Sequence, residues 1–167
     1  MFWYPYIIKH LEDLGYSTWA PTIPNAEKPK LNISLPFFLE NGTFNEETLI
    51  IGHSSGCPTI LSILENLSVK IAKAILVAGF YQKIDDDGYS ESILQKEYAW
   101  EKIKNNAQKI ILINSDNDPW KCDDKQAAIA QKNLDAELIV LKGEGHMGSV
   151  SFNQPYLEFP LLKEIIS

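Results

Sequence analysis

The sequence predicts an α/β fold: a parallel sheet flanked by helices on both faces. Two observations carry this. Apolar runs at 48–52, 74–78, 109–113 and 138–141 are four or five residues long and do not alternate with polar ones. Strands of that kind are buried on both faces. Between the runs lie longer segments with apolar residues at helical spacing, so strand and helix take turns along the chain. The length, 167 residues, fits one domain, and residues 1–167 are read as a single unit.

Each element follows in order. Apolar residues at 3, 4, 7, 8, 11 and 14 recur at helical spacing, and Gly15 suits the C-cap. Residues 16–20 alternate like a strand, which brings the expected strand count to about five. Residues 21–29 are turn-rich, and 31–39 read as a short helix ending before Asn41 and Gly42. The run at 48–52 is followed by a helix through Leu67. After the run at 74–78, residues 81–107 form a polar, aromatic-bearing excursion with a helix around 98–105. Beyond the run at 109–113, residues 123–134 are helical, with Asp123 or Asp124 suited to the first turn. The last strand is 138–141. A terminal helix is expected from Pro155, shortened or kinked by Pro160.

Composition excludes several functions. Lys+Arg is 15 and Asp+Glu is 22, a net charge of −7, and every basic residue is Lys. An acidic chain without Arg lacks the basic face and the bidentate reader that nucleic acid requires. Cys57 and Cys122 lie far apart, with no CxxC or Cys/His cluster in the sequence, so no metal site is expected. Reduced thiols and a cytoplasmic location are the simplest reading. No apolar stretch approaches the ~20 residues of a membrane span. The apolar opening lacks the basic region and cleavage site of a signal peptide, so the sequons at Asn32, Asn41 and Asn66 carry little weight.

The chemistry-bearing segment is Gly52-His53-Ser54-Ser55-Gly56, between a strand and a helix. This is the G-x-S-x-G nucleophile elbow in its expected context. A sharp turn thrusts Ser54 above the C-terminal edge of the sheet, and the tightness of the turn calls for glycine on either side. The helix that follows points free N–H groups at developing negative charge, and Ser55 N–H is the expected oxyanion donor. A serine needs a base. His10 reads as a surface residue of the first helix, and His53 as a packing residue pointing away from the serine. His146 follows the last strand and is the expected base. The acid that orients it comes from 114–118, after the penultimate strand. Asp118 is favoured, with Asp116 the alternative and the better candidate for a local turn cap. The order Ser, acid, His is that of an α/β-hydrolase.

Other motifs carry less. Oxygen ligands at 114, 116 and 118 suggest calcium, but Pro119 stands where Gly is needed and Lys125 where the bidentate Glu is needed. The run Asp85-Asp86-Asp87-Gly88 reads as a solvated turn. Cys57 lies in the first turn of the elbow helix, where a thiol pKa can fall, but a buried small residue is the better reading. Tyr98, Trp100 and Trp120 are either core or pocket lining.

Together these residues resemble the small serine hydrolases of the retinoblastoma-binding protein 9 and YdeN type, over essentially the whole chain. Leu35-Pro36-Phe37-Phe38 and the stretch from Thr48 to Gly56 are similar to the family's approach to the elbow. Trp100 to Lys104 is similar to the segment after its excursion. Ser115 to Pro119 is similar to its acid loop, in which the aspartate before proline is catalytic, and Gly145-His146 to its base. The resemblance implies a compact α/β-hydrolase and serine hydrolase chemistry on small ester or amide substrates, with no cofactor. It also implies one departure. Family members open with an apolar strand and a Gly/Asn-rich loop bearing on the oxyanion site, before the helix that here starts near Phe2. The resemblance places that strand centrally, between the counterparts of 16–20 and 48–52. By this comparison the chain is N-terminally truncated, and a start some 20–30 residues upstream would supply a strand and a loop.

Ser54, His146 and Asp118 are thus expected to act by acyl transfer, with Ser55 as oxyanion donor. The partner is a small-molecule ester or amide. No nucleic acid, membrane or protein partner is indicated. The alternative is a catalytically weak binding or interaction module, since half an oxyanion hole costs ~10²–10³ in rate.

Overall fold

The computed structural model describes residues 2–85 and 88–167. Asp86 and Asp87, half of the acidic run expected to form a turn, lie outside them. The elements, in chain order, are α1 (Tyr4–Asp13), α2 (Leu31–Asn41), β1 (Leu49–His53), α3 (Gly56–Asn66), β2 (Ile71–Val77), α4 (Tyr89–Ile93), α5 (Trp100–Asn105), β3 (Ala107–Ser115), α6 (Asp124–Leu134), β4 (Glu137–Leu141) and α7 (Pro160–Ile166). The four strands form one parallel sheet in the order β1-β2-β3-β4.

Both faces are covered, as the unbroken apolar runs require. Along β2, Ala74 and Leu76 join a core with Leu61 and Leu64 of α3, Ile103 of α5 and Leu134 of α6. The intervening Ile75 and Val77 join a second core with Trp3, Ile7 of α1, and Phe159 and Leu162 at α7. This alternation is the period-two geometry of a strand, realised with apolar side chains on both sides. Lys73 also reaches from β2 to donate to the Ile165 carbonyl at 2.7 Å, fastening the end of α7.

Several expectations change. Residues 16–20 are not a strand, so among the described residues the sheet has four strands rather than about five. Their alternation is strand-like, but no described strand lies beside them to complete a ladder, and an extended segment without one is not stable as a strand. The terminal helix begins at Pro160, not Pro155. Proline's fixed φ and missing N–H suit the first helical turn, so Pro160 starts the helix it was expected to shorten. Asp85 oxygens accept from the N–H groups of Gly88 (3.1 Å) and Ser90 (2.8 Å), holding the entry to α4.

The edge position of β1 has a defined chemistry. Ser54 N–H donates to the Val77 carbonyl, and the Thr48 carbonyl accepts from Lys73 N–H. With the register of Ile50 on Ala74 and Gly52 on Leu76, these two ends fix the pattern. Even-numbered residues bond to β2, and the peptide groups of Leu49, Ile51 and His53 face outward. None of the three has a backbone partner on that side among the described residues.

Candidate active site

The elbow turns at the C-terminal end of β1. Ser54 adopts φ 54°, left-handed for a residue with a Cβ, a conformation that costs of order 1–3 kcal/mol and clusters at functional sites. The following residue, Ser55, is the N-cap of α3. Its N–H has no hydrogen-bond partner among the described residues, so a free donor lies at the positive end of an 11-residue helix. The two flanking glycines differ. A Cβ on Gly52 would lie 2.6 Å from Ile60 Cδ1 and 3.0 Å from the Gly56 carbonyl carbon, whereas one on Gly56 would meet nothing within 4 Å. The steric demand for glycine thus holds on the strand side only. An apolar cleft of about 110 Å³ adjoins the elbow along β1, lined by Ile23, Phe38, Ile50, Ser55, Ile60 and Ile63.

His146 and Asp118 meet across loops that follow β4 and β3. His146 Nδ1 lies 2.7 Å from Asp118 Oδ2, and both side chains are buried. The other carboxylate oxygen, Oδ1, accepts from Trp120 N–H at 2.8 Å, which fixes the carboxylate plane. The alternative acid, Asp116, is elsewhere: its Oδ1 accepts from Gly143 N–H at 2.8 Å. It was expected to cap its own turn, but it belongs to a wider lacing. Ser115 Oγ accepts from Glu144 N–H, and Asn117 Oδ1 from Gly145 N–H. Three consecutive side chains, starting at the last residue of β3, therefore hold three consecutive amides ahead of His146. Gln154 completes the loop, accepting from His146 N–H at 3.0 Å and donating to the Glu144 carbonyl at 2.7 Å.

The ring centroids of His146 and His53, the residue before Ser54, are 4.8 Å apart. Ser54 Oγ has no hydrogen bond to His146 among the described residues. His53 does more than pack. Its Nε2 lies 2.8 Å from the His146 carbonyl, and its Nδ1 lies 3.0 Å from Tyr4 Oη. Burial first, and then the neighbouring His146, lower the His53 pKa to about 3, so the ring is neutral at ordinary pH. Trp3 adds a bond from Nε1 to the Met147 carbonyl at 3.0 Å. No local sequence signal marks His53, Trp3 or Gln154, because their partners are distant in the chain.

Both thiols are free and buried, which disfavours the thiolate. Cys57 is fully buried, with Sγ near the carbonyls of Val77 (3.2 Å) and Gly52, and burial pushes its pKa up. Any lowering by the helix end is outweighed by that burial. Cys122 comes unexpectedly close to the site: its Sγ and ligand atoms of Asp118 and His146 all lie within 4.8 Å of one another. The histidine and carboxylate are already bonded to each other, and burial raises the Cys122 pKa as well. A metal there would have to displace that bond and deprotonate a buried thiol. Tyr98 and Trp100 pack on the α3–α5–α6 core. Trp120 is half exposed against Phe152 beside the site.

A parallel sheet with a strained serine elbow at its C-terminal edge, and a histidine–carboxylate pair beside it, defines the α/β-hydrolase class. Comparison with known proteins agrees. The family model for serine hydrolases matches residues 26–162, and the chain belongs to that family. It is 30% identical to serine hydrolase RBBP9 of Rattus norvegicus, over 91% of this chain and 81% of that protein. It is 26% identical to the hydrolase YdeN of Bacillus subtilis (strain 168), over 99% and 86%. The solved structure of the ydeN product superposes with a TM-score of 0.88 at 25% identity, over 99% of this chain and 88% of that one. A CIB-like hydrolase from Thermoplasma acidophilum shares the fold, with a TM-score of 0.59 over 84% and 67% at 18% identity. No described helix is long and apolar enough to cross a membrane.

Proposed function

We propose that this serine hydrolase cleaves small ester or amide substrates through an acyl-enzyme, with Ser54 as nucleophile, His146 as base and Asp118 orienting His146. The observation that carries this reading is the buried 2.7 Å bond between His146 Nδ1 and Asp118 Oδ2, alongside Ser54 in its strained turn. The carboxylate fixes the tautomer, leaving Nε2 as the acceptor for a proton. Ser54 Oγ adds to the substrate carbonyl as its proton passes to His146. The oxyanion is met by Ser55 N–H. His146 then returns the proton to the departing alcohol or amine, and water hydrolyses the acyl-enzyme by the same relay. Catalytic hydrogen bonds often tighten only in the substrate complex, which accommodates the lack of a Ser54–His146 hydrogen bond here.

A fluorophosphonate probe tests the assignment. Wild type should be labelled, and Ser54→Ala should not. His146→Ala should label at least ~10²-fold more slowly, given the usual contribution of a positioned base. Labelling that persists in Ser54→Ala removes Ser54 as the nucleophile. A second reading, a binding module without turnover, is equally compatible with a Ser54 that makes no hydrogen bond to His146 among the described residues. Stoichiometric probe labelling with no hydrolysis of any short-chain ester would select it.

A further inference from the structure

We propose that His53 is a positioning residue for His146, a role that rests on His146 being the base. The geometry is a two-bond chain, from Tyr4 Oη to His53 Nδ1 (3.0 Å) and from His53 Nε2 to the His146 carbonyl (2.8 Å). Its direction is fixed by chemistry. A carbonyl oxygen only accepts, so Nε2 must carry the proton. In the neutral ring Nδ1 is then a lone pair, which can only accept from the Tyr4 hydroxyl. Although Tyr4 as a whole residue is partly exposed, desolvation around its hydroxyl pushes its pKa to about 12, so it keeps that proton. One tautomer of His53 satisfies both partners; the other would set two lone pairs against each other at the His146 carbonyl.

Covalent structure gives the arrangement its consequence. His53 is joined directly to Ser54, so its bond to the His146 main chain links nucleophile and base across 93 residues of sequence. His146 is then held from three segments: its N–H by Gln154, its Nδ1 by Asp118 and its carbonyl by His53. The first two fix the loop and the ring plane. Only the third refers His146 to the elbow itself. The rings of Trp3 and Phe2 at 5.8 and 6.1 Å back the His53 ring, leaving it little freedom to turn.

The test compares His53→Phe, which keeps a ring without donors, with His53→Gln, whose amide nitrogen can reach the same carbonyl. Tyr4→Phe removes only the hydrogen bond to Nδ1 and keeps the ring, at a residue 41% exposed, where folding is not at stake. With a short-chain nitrophenyl ester, His53→Phe should lower kcat about 10- to 100-fold, the scale of a small misplacement of a reacting group. KM should hold. His53→Gln should recover most of the loss, and Tyr4→Phe should show a smaller fall of the same kind. Proton NMR gives a readout independent of turnover. The downfield His146 Nδ1–H resonance, assigned by its loss in His146→Ala, should broaden or vanish in His53→Phe and return in His53→Gln. A folded His53→Phe with that resonance intact and kcat within twofold overturns the proposal, as does a loss that Gln fails to restore in both readouts. If wild type shows no turnover, the proposed hydrolytic function fails while the NMR comparison still decides the role of His53.

Discussion

At the scale of single residues, the site stores strain at Ser54. An L-residue at φ 54° loses energy that glycine would not, while glycine loses more backbone entropy on folding, roughly 0.5–1 kcal/mol. The side chain recovers nothing, because its hydroxyl has no hydrogen-bond partner among the described residues. Ser54→Gly should therefore stabilise the protein by about 1 kcal/mol, a rise of about 2–4 °C in thermal midpoint for a chain of this size. Ser54→Ala keeps the same φ cost and should be nearly neutral. Calorimetry of the two variants separates backbone strain from side-chain contacts: an equal rise in both would place the strain in the hydroxyl instead. The residue scale is also where the sequence is least legible. Gly52 to Gly56 identifies the elbow because the motif is local. The lacing of Ser115, Asp116 and Asn117 onto 143–145 joins side chains to backbone amides 27 to 29 residues away, and backbone amides carry no sequence signature.

At the scale of elements, the strand–helix rhythm is legible because burial on both faces forces uninterrupted apolar runs. β2, β3 and β4 all appear where those runs fall, with ends shifted by up to three residues. Residues 16–20 fail for the opposite reason: their alternation describes a surface, and a strand also needs a neighbour. The elbow glycines show the same division between pattern and space. The motif asks for both, yet only Gly52 meets its neighbours at contact distance. Gly52→Ala should cost about 1–3 kcal/mol, since Ile60 and the α3 backbone must both shift. Gly56→Ala places a better helix former at the first position of α3 with open space around it, and should be neutral or stabilising by up to about 1 kcal/mol. Chemical denaturation of both variants checks this. A Gly56→Ala loss comparable to that of Gly52→Ala would mean the elbow is tight on both sides.

At the scale of the whole molecule, protection should grade across the sheet. β2 and β3 are paired on both sides and mostly buried, whereas β1 is an edge strand with mostly half-buried residues. Local opening of β1 therefore costs less than global unfolding. The alternation of hydrogen bonds turns this into a residue-level pattern. Amides of Ile50 and Gly52 bond to β2 and should be protected, while those of Ile51 and His53 face outward and should exchange fastest in the strand. The pattern continues into β2. Ala78 N–H donates to the Ile113 carbonyl, so the even-numbered amides of Ala74 and Leu76 bond to β3. Those of Ile75 and Val77 bond to β1. Ile75 and Val77 should then exchange with the lower free energy of β1 opening, and Ala74 and Leu76 near the global limit. Native-state hydrogen exchange, followed by NMR at low denaturant, reads all of these amides in one experiment. Equal protection of Ile51 and Gly52 would show that a further strand pairs with the open edge of β1, since only a backbone acceptor on that side could hold the Ile51 amide so firmly.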